Sequence, residues 1–139
     1  MEKDIIVFFE KDRFAHYVGI ELIKVEPGFA VTQLKLSDRH LNGLGIVQGG
    51  AIYTLADFAF AAATNSGGLA TVGINCSITY FSSPKGSIIT AQAKETSSEK
   101  RICGCDVEVL DEDGKLIAKF SGTGYRINKT IDYKTGTVE

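Results

Sequence analysis

The sequence predicts an α+β fold in which an antiparallel sheet of five to six strands wraps around one long central helix. The segment from about Gly49 to Asn65 reads as a helix whose apolar residues run all the way round, so protein must surround it. Further on, runs of residues alternate apolar and polar with the period of two that marks strands. Strands do not alternate with helices along the chain, which disfavours a doubly wound parallel sheet.

In chain order, Asp4–Val18 places Ile5, Phe8, Phe9, Phe14 and Tyr17 in a loose helical stripe that stops at Gly19. Gly19–Glu26 and Phe29–Leu36 are strand-like and meet at Pro27-Gly28, a pair suited to the centre of a type II turn. Ser37–Gly43 is a loop of turn residues, and the central helix that follows is closed by Gly67-Gly68. Thr71–Phe81 alternates Val72, Ile74, Cys76, Ile78 and Tyr80 with small or polar residues. Ser83-Pro84-Lys85-Gly86 turns the chain into Ser87–Thr96. Lys100–Leu110 and Lys115–Ile127 are expected to pair across Asp111-Glu112-Asp113-Gly114. Residues 128–139 are expected to form a loose polar tail on one domain spanning 1–139.

A net charge of −2 gives no global field for nucleic acid or an anionic membrane, and no apolar run is long enough to span a bilayer. The acidic start Met1–Ile5 lacks the apolar core of a signal peptide. Cys76, Cys103 and Cys105 are odd in number and read as reduced, buried small hydrophobes, so a cytoplasmic location is expected. His16 and His40 are the only histidines, too few for an expected metal site. His16 reads as a surface or core-edge residue, and His40 as structural.

From Leu41 to Pro84, 44 residues carry one charged side chain, Asp57. The chain's own 23% charged content would place about ten there. Asp57 falls mid-helix, where propensity gives no reason for it and burial makes a lone carboxylate costly. A cleft carboxylate of elevated pKa, available as base or nucleophile, accounts for it better than a structural bond to backbone or Thr54. At the helix start, Gln48-Gly49-Gly50 puts two residues without Cβ where N–H groups are unpaired and the helix dipole is positive. Such an end suits an oxyanion, or simply close packing. Gly49 and Asp57 are ~12 Å apart along a helix axis, so they flank an extended substrate or belong to sites shared between chains.

The spacing Asn42, Gln48-Gly49-Gly50, Asp57 resembles the phenylacetic-acid-degradation (PaaI-like) branch of hotdog-fold acyl-CoA thioesterases. His40-Leu41-Asn42-Gly43, Leu55-Ala56-Asp57, Asn65-Ser66, Ile78-Thr79-Tyr80-Phe81 and Gly124-Tyr125-Arg126-Ile127 extend the resemblance over nearly the whole chain. The resemblance implies hydrolysis of an acyl-CoA thioester, with no metal and no cofactor beyond the coenzyme A of the substrate. By motif, Asp57 would be nucleophile or general base, and the Gly49 N–H, helped by Gly50, would polarise the carbonyl. Asn42 would orient the carbonyl or the water. It also implies a homodimer, paired into a homotetramer, with sites built from two subunits. The uncharged strand Thr71–Phe81 would suit such edge pairing.

Two departures stand out. Gln48 occupies the place of a family His and cannot titrate, and Gly73 stands where some relatives carry a hydroxyl. Lys85, Lys100, Arg101 and Arg126 are candidates for the coenzyme A phosphates. Phe58, Phe60, Tyr53 and the many alanines suggest an aromatic or medium-chain acyl group. The competing readings are a non-catalytic acyl-CoA-binding protein and an enoyl-CoA hydratase or dehydratase, the latter needing His40 beside a carboxylate.

Overall fold

The computed structural model describes all 139 residues, Met1–Glu139. Two short helices, α1 (Glu2–Phe9) and α2 (Arg13–Val18), replace the single helix expected over Asp4–Val18. The break is local: Asp12 is extended, and its carboxylate accepts from the Ala15 N–H at 3.0 Å, an N-cap that starts a new helix. Gly19, at φ 99°, ends it.

The remaining elements are β1 (Ile20–Glu26), β2 (Phe29–Lys35), a 3-10 turn (Asp38–His40), α3 (Gly49–Thr64), β3 (Leu69–Tyr80), β4 (Ile88–Ser98), β5 (Ile102–Leu110), β6 (Leu116–Asp132) and β7 (Thr137–Val138). The strands pair antiparallel in the order β1-β2-β4-β5-β6-β3, with β7 added at the end of β6. β1 and β3 are therefore the edges. The sheet curls around α3, giving the α+β architecture that the all-round apolar helix predicts.

The inner faces of β2, β4 and β5 present Ala30, Thr32, Leu34, Ile89, Ala91, Ala93, Cys105, Val107 and Val109, all buried against α3. Alanines there let the helix come close, and Thr32 Oγ1 donates to the Leu55 carbonyl at 2.9 Å. Each large apolar side chain buried this way contributes about 1.5–3 kcal/mol. Tight wrapping is sharpest at Phe60. A Cβ at Gly122 would lie 2.7 Å from its ring, and one at Gly73 would lie 3.2 Å away. A side chain at Gly73 would crowd both Phe60 and the Cys76 sulfur, each 3.2 Å from the position of its Cβ.

Residues 128–139 correct the expected loose tail. β6 runs on to Asp132, and a turn brings β7 back against it. The Tyr133 hydroxyl donates to the Asn65 carbonyl and accepts from the Gly68 N–H at 3.0 Å, while its ring meets Phe8 edge-on at 5.7 Å. These partners lie more than sixty residues away, so local polarity could not report them. Cys103 and Cys105 face the core as free thiols, and burial pushes the Cys105 thiol up to about 12.

Candidate active site

The start of α3 opens into a cleft of about 730 Å³, a ligand-sized space. α3 contributes Gln48, Gly50, Ala51, Tyr53 and Thr54; α2 contributes Phe14, Tyr17 and Val18; Arg39, His40 and Tyr80 complete it. Gln48 is the exposed N-cap residue, and its side chain makes no capping bond. Its backbone N–H donates to the His40 carbonyl at 2.7 Å, fixing the entry to the helix. The N–H groups of Gly49 and Gly50 find no acceptor within the chain. They are two of the orphan donors at the positive end of the helix dipole, ready for an incoming oxygen.

Tyr80, which sequence reasoning gave no role, holds this turn in place. Its hydroxyl donates to the Gly49 carbonyl at 3.0 Å, and its ring lies 3.2 Å from where a Gly49 Cβ would be. A side chain on Gly49 would therefore press on Tyr80, which would have to yield by a few tenths of an ångström. A Cβ on Gly50 would meet only the Gln48 side chain, at 3.7 Å, an ordinary contact. The periodicity of β3 could locate Tyr80 on a strand, but not opposite a helix end 31 residues earlier.

His40 is buried and fully committed. Its Nε2 lies 2.6 Å from the Val18 carbonyl, which can only accept, so Nε2 carries the proton. Nδ1 then accepts from the Ser37 N–H at 3.0 Å. The ring ties the loop before α3 to the end of α2, and the histidine a hydratase would require is not beside a carboxylate. His16 is exposed on α2.

Asp57 lies two turns further along α3, half-buried and without a hydrogen bond to its carboxylate. Burial raises its pKa above the ordinary carboxylate value, and the Asp12 carboxylate adds to the rise. Burial also raises the Cys76 thiol, with a further push from the charge of Asp57. For the Tyr53 hydroxyl the order is burial, then Cys76, then Asp57. Asp57 is thus a carboxylate of raised pKa whose charge is felt by the Cys76 thiol and the Tyr53 hydroxyl. It does not line the cleft at the helix start.

Asn42 is also outside the cleft. Its Oδ1 accepts from the Leu44 N–H at 2.8 Å and the Ile46 N–H at 3.3 Å, closing the loop before α3. Its amide NH₂ remains available. Of the candidate cations, Lys100, Arg101 and Arg126 come together beside the far end of α3, where Lys100 and Arg126 line one pocket and the Arg126 N–H donates to the Arg101 carbonyl at 2.8 Å. Lys85 lies apart in the β3–β4 loop, its N–H donating to Asp111 Oδ2 at 3.1 Å. Arg126, one of the candidates for a phosphate contact, is already engaged within the chain. Its guanidinium pairs with Glu95 at 3.5 Å and donates to Ser98 Oγ at 2.6 Å and Thr71 Oγ1 at 3.1 Å. It also reaches the Thr64 carbonyl at 3.4 Å, so it fastens the end of α3 rather than facing solvent. No cluster of three His, Cys, Asp or Glu side chains is arranged to hold a metal ion, and no helix is long and apolar enough to cross a membrane.

The sequence and the fold are similar to those of known proteins. The family model of the thioesterase superfamily matches residues 44–118, from the loop before α3 into β6. Acyl-coenzyme A thioesterase PaaI of Escherichia coli is 36% identical over 124 residues, covering 88% of this chain and 89% of that protein. Acyl-coenzyme A thioesterase 13 of Homo sapiens is 29% identical, covering 84% and 88%. The structure of E. coli PaaI superposes with a TM-score of 0.88 over 94% of this chain and 95% of that one, at 34% identity. A hypothetical thioesterase protein from Streptococcus pneumoniae, solved with coenzyme A, shares the fold at a TM-score of 0.80 and 24% identity, over 88% and 96% of the chains. With its curled sheet, buried central helix and glycine-started α3, the chain belongs to the thioesterase superfamily and is a hotdog-fold thioester hydrolase.

Proposed function

We propose that the chain hydrolyses the thioester of an aromatic or medium-chain acyl-CoA through a site completed by two subunits. One observation carries this reading. The unpaired Gly49 and Gly50 N–H groups and the unpartnered Asp57 carboxylate stand on one rigid helix. That spacing, ~12 Å, exceeds the reach of a single reacting carbonyl. A two-fold axis through paired β3 edges would set two α3 helices antiparallel, the start of one beside the middle of the other. The β3 edge supports such pairing, since it is uncharged and exposes Val72, Ile74, Tyr80 and Phe81.

In this arrangement the Gly49 N–H, aided by Gly50, polarises the thioester carbonyl at the positive helix end. Asp57 of the other subunit either deprotonates water or attacks the carbonyl itself. The free amide of Asn42 and the side chain of Gln48 orient carbonyl or water. No metal or cofactor takes part, and the protein works as a cytoplasmic homodimer, paired into a tetramer. Coenzyme A as the ligand of the S. pneumoniae relative, and the names of the E. coli and human ones, support acyl-CoA as the substrate.

Purified protein is expected to release free thiol from a panel of acyl-CoA thioesters, fastest with aromatic or medium-chain acyl groups. Tight binding without turnover would replace this reading with that of an acyl-CoA-binding protein. Sedimentation at micromolar concentration is expected to show a dimer or tetramer, and a stable, active monomer would end the shared-site mechanism. Asp12→Asn retains an N-cap acceptor but removes the charge that helps raise Asp57. The acid limb of kcat/KM against pH should then move toward lower pH, while an unmoved limb would mean that Asp57 does not set it.

A further inference from the structure

Of the residues lining the cleft at the start of α3, Arg39 alone is charged. It makes no ion pair with any carboxylate of the chain. Its guanidinium is nonetheless held in place, donating to the Val18 carbonyl at 3.1 Å and lying across Gly19, where a Cβ would sit 2.6 Å from Nη2. Gly19 already needs its glycine for φ 99°, so the same residue ends α2 and seats the arginine. A guanidinium has five N–H donors in a fixed fork; a single contact to a carbonyl leaves most of them directed elsewhere. Around it the cleft is apolar and aromatic, with Phe14, Tyr17 and Tyr80, and the two nitrogens of His40 are occupied.

We infer that Arg39 is a specificity residue which reads a carboxylate on the acyl group, so that the preferred substrates have an apolar or aromatic body and an acidic end. The inference rests on the thioester-hydrolase reading of the same cleft. Arg39 precedes His40, whose carbonyl is bonded to the Gln48 N–H, and Gln48 precedes the Gly49 N–H that would hold the thioester carbonyl. The cation therefore lines the same cleft as Gln48 and Gly50 at the helix start, whereas the phosphates of coenzyme A lie a whole pantetheine arm from the thioester. An acidic group near the thioester is the anion that fits this position. A planar carboxylate meets the guanidinium fork with paired hydrogen bonds, which is the strong form of such a contact.

The test compares para-carboxybenzoyl-CoA with para-methylbenzoyl-CoA, and the same acyl groups on pantetheine, in wild type, Arg39→Gln and Arg39→Lys. Wild type should favour the carboxylated thioester by at least about tenfold in kcat/KM, the worth of one charge-assisted contact. Arg39→Gln should bring the ratio of kcat/KM between the carboxylated and the neutral thioester down to about one, through KM, while Arg39→Lys should keep part of the preference. Absence of a preference in wild type would overturn the inference. So would a rise in KM in Arg39→Gln that is equal for both CoA thioesters and absent for both pantetheine thioesters, since Arg39 would then read coenzyme A phosphates. A lowered melting temperature or altered oligomer with the preference intact would make Arg39 structural and would also overturn it. If no thioester is cleaved, calorimetric binding of para-carboxybenzamide and para-toluamide still tests the subsite. Stronger binding of the carboxylated amide that is lost in Arg39→Gln supports it, and equal binding refutes it.

Discussion

Asp57→Asn is expected to cut turnover by at least ~10²-fold, the low end for losing a general base, with little change in KM. The amide keeps the shape of the carboxylate but not its basic lone pair. Stability should hold or rise, and the sign follows from the raised pKa. The fold favours the neutral carboxyl, so this stabilisation is complete below the unfolded pKa and is lost as pH climbs through the higher folded value. At neutral pH the ionised Asp57 is a burden on the fold, and the uncharged amide removes it. Wild-type kcat/KM should fall as pH drops through that raised pKa. A structural Asp57 would give the reverse pattern: a lower melting temperature, a disturbed oligomer and near-normal activity per folded site. Measuring kcat, KM and thermal stability on one preparation separates the two.

Gly49→Pro, set against Gly49→Ala, should lower turnover by ~10²–10³-fold, the loss seen when one oxyanion donor is removed. Proline has no N–H, yet the first position of a helix accepts it, because the helix uses no N–H there. Gln48 already has φ −61° and ψ 130°, the extended conformation required before proline. The remaining strain is the new Cβ against Tyr80 at 3.2 Å, and alanine introduces the same contact. The two variants should therefore melt at similar temperatures and differ in rate. Equal rates would move the oxyanion contact away from the Gly49 N–H.

Patterns that repeat over many residues were the most legible in the sequence. One charge in the stretch Leu41–Pro84 marked both the buried helix and Asp57, and two-residue alternation marked the strands. The glycines that open α3 could be read because a helix start has an intrinsic set of unpaired donors. Features set by distant partners were not legible. Arg126 looked like a free cation until Glu95, Ser98 and Thr71 closed on it. Tyr133 lay in a polar tail whose anchor is the far end of α3. Arg39 sat in a loop of ordinary turn residues, and only the folding of α2 against that loop puts it in a cleft. The break at Asp12 was in principle readable as an N-cap, but the apolar stripe across it masked the signal.

The contact between Phe60 and the glycine of β6 bears on how this chain can diverge. Gly122→Ala would force a Cβ into the Phe60 ring, while Phe60→Ala would leave a cavity costing about 3–5 kcal/mol. Either change alone is harmful, yet each would relieve the other, so the two positions are epistatic and inheritance can pass between their states only by a paired exchange. Phe14, Tyr17 and Arg39 carry no such coupling to the curled sheet. Selection can therefore retune what the cleft accepts through α2 and its neighbouring turn, while the wrapped core stays at a local fitness peak.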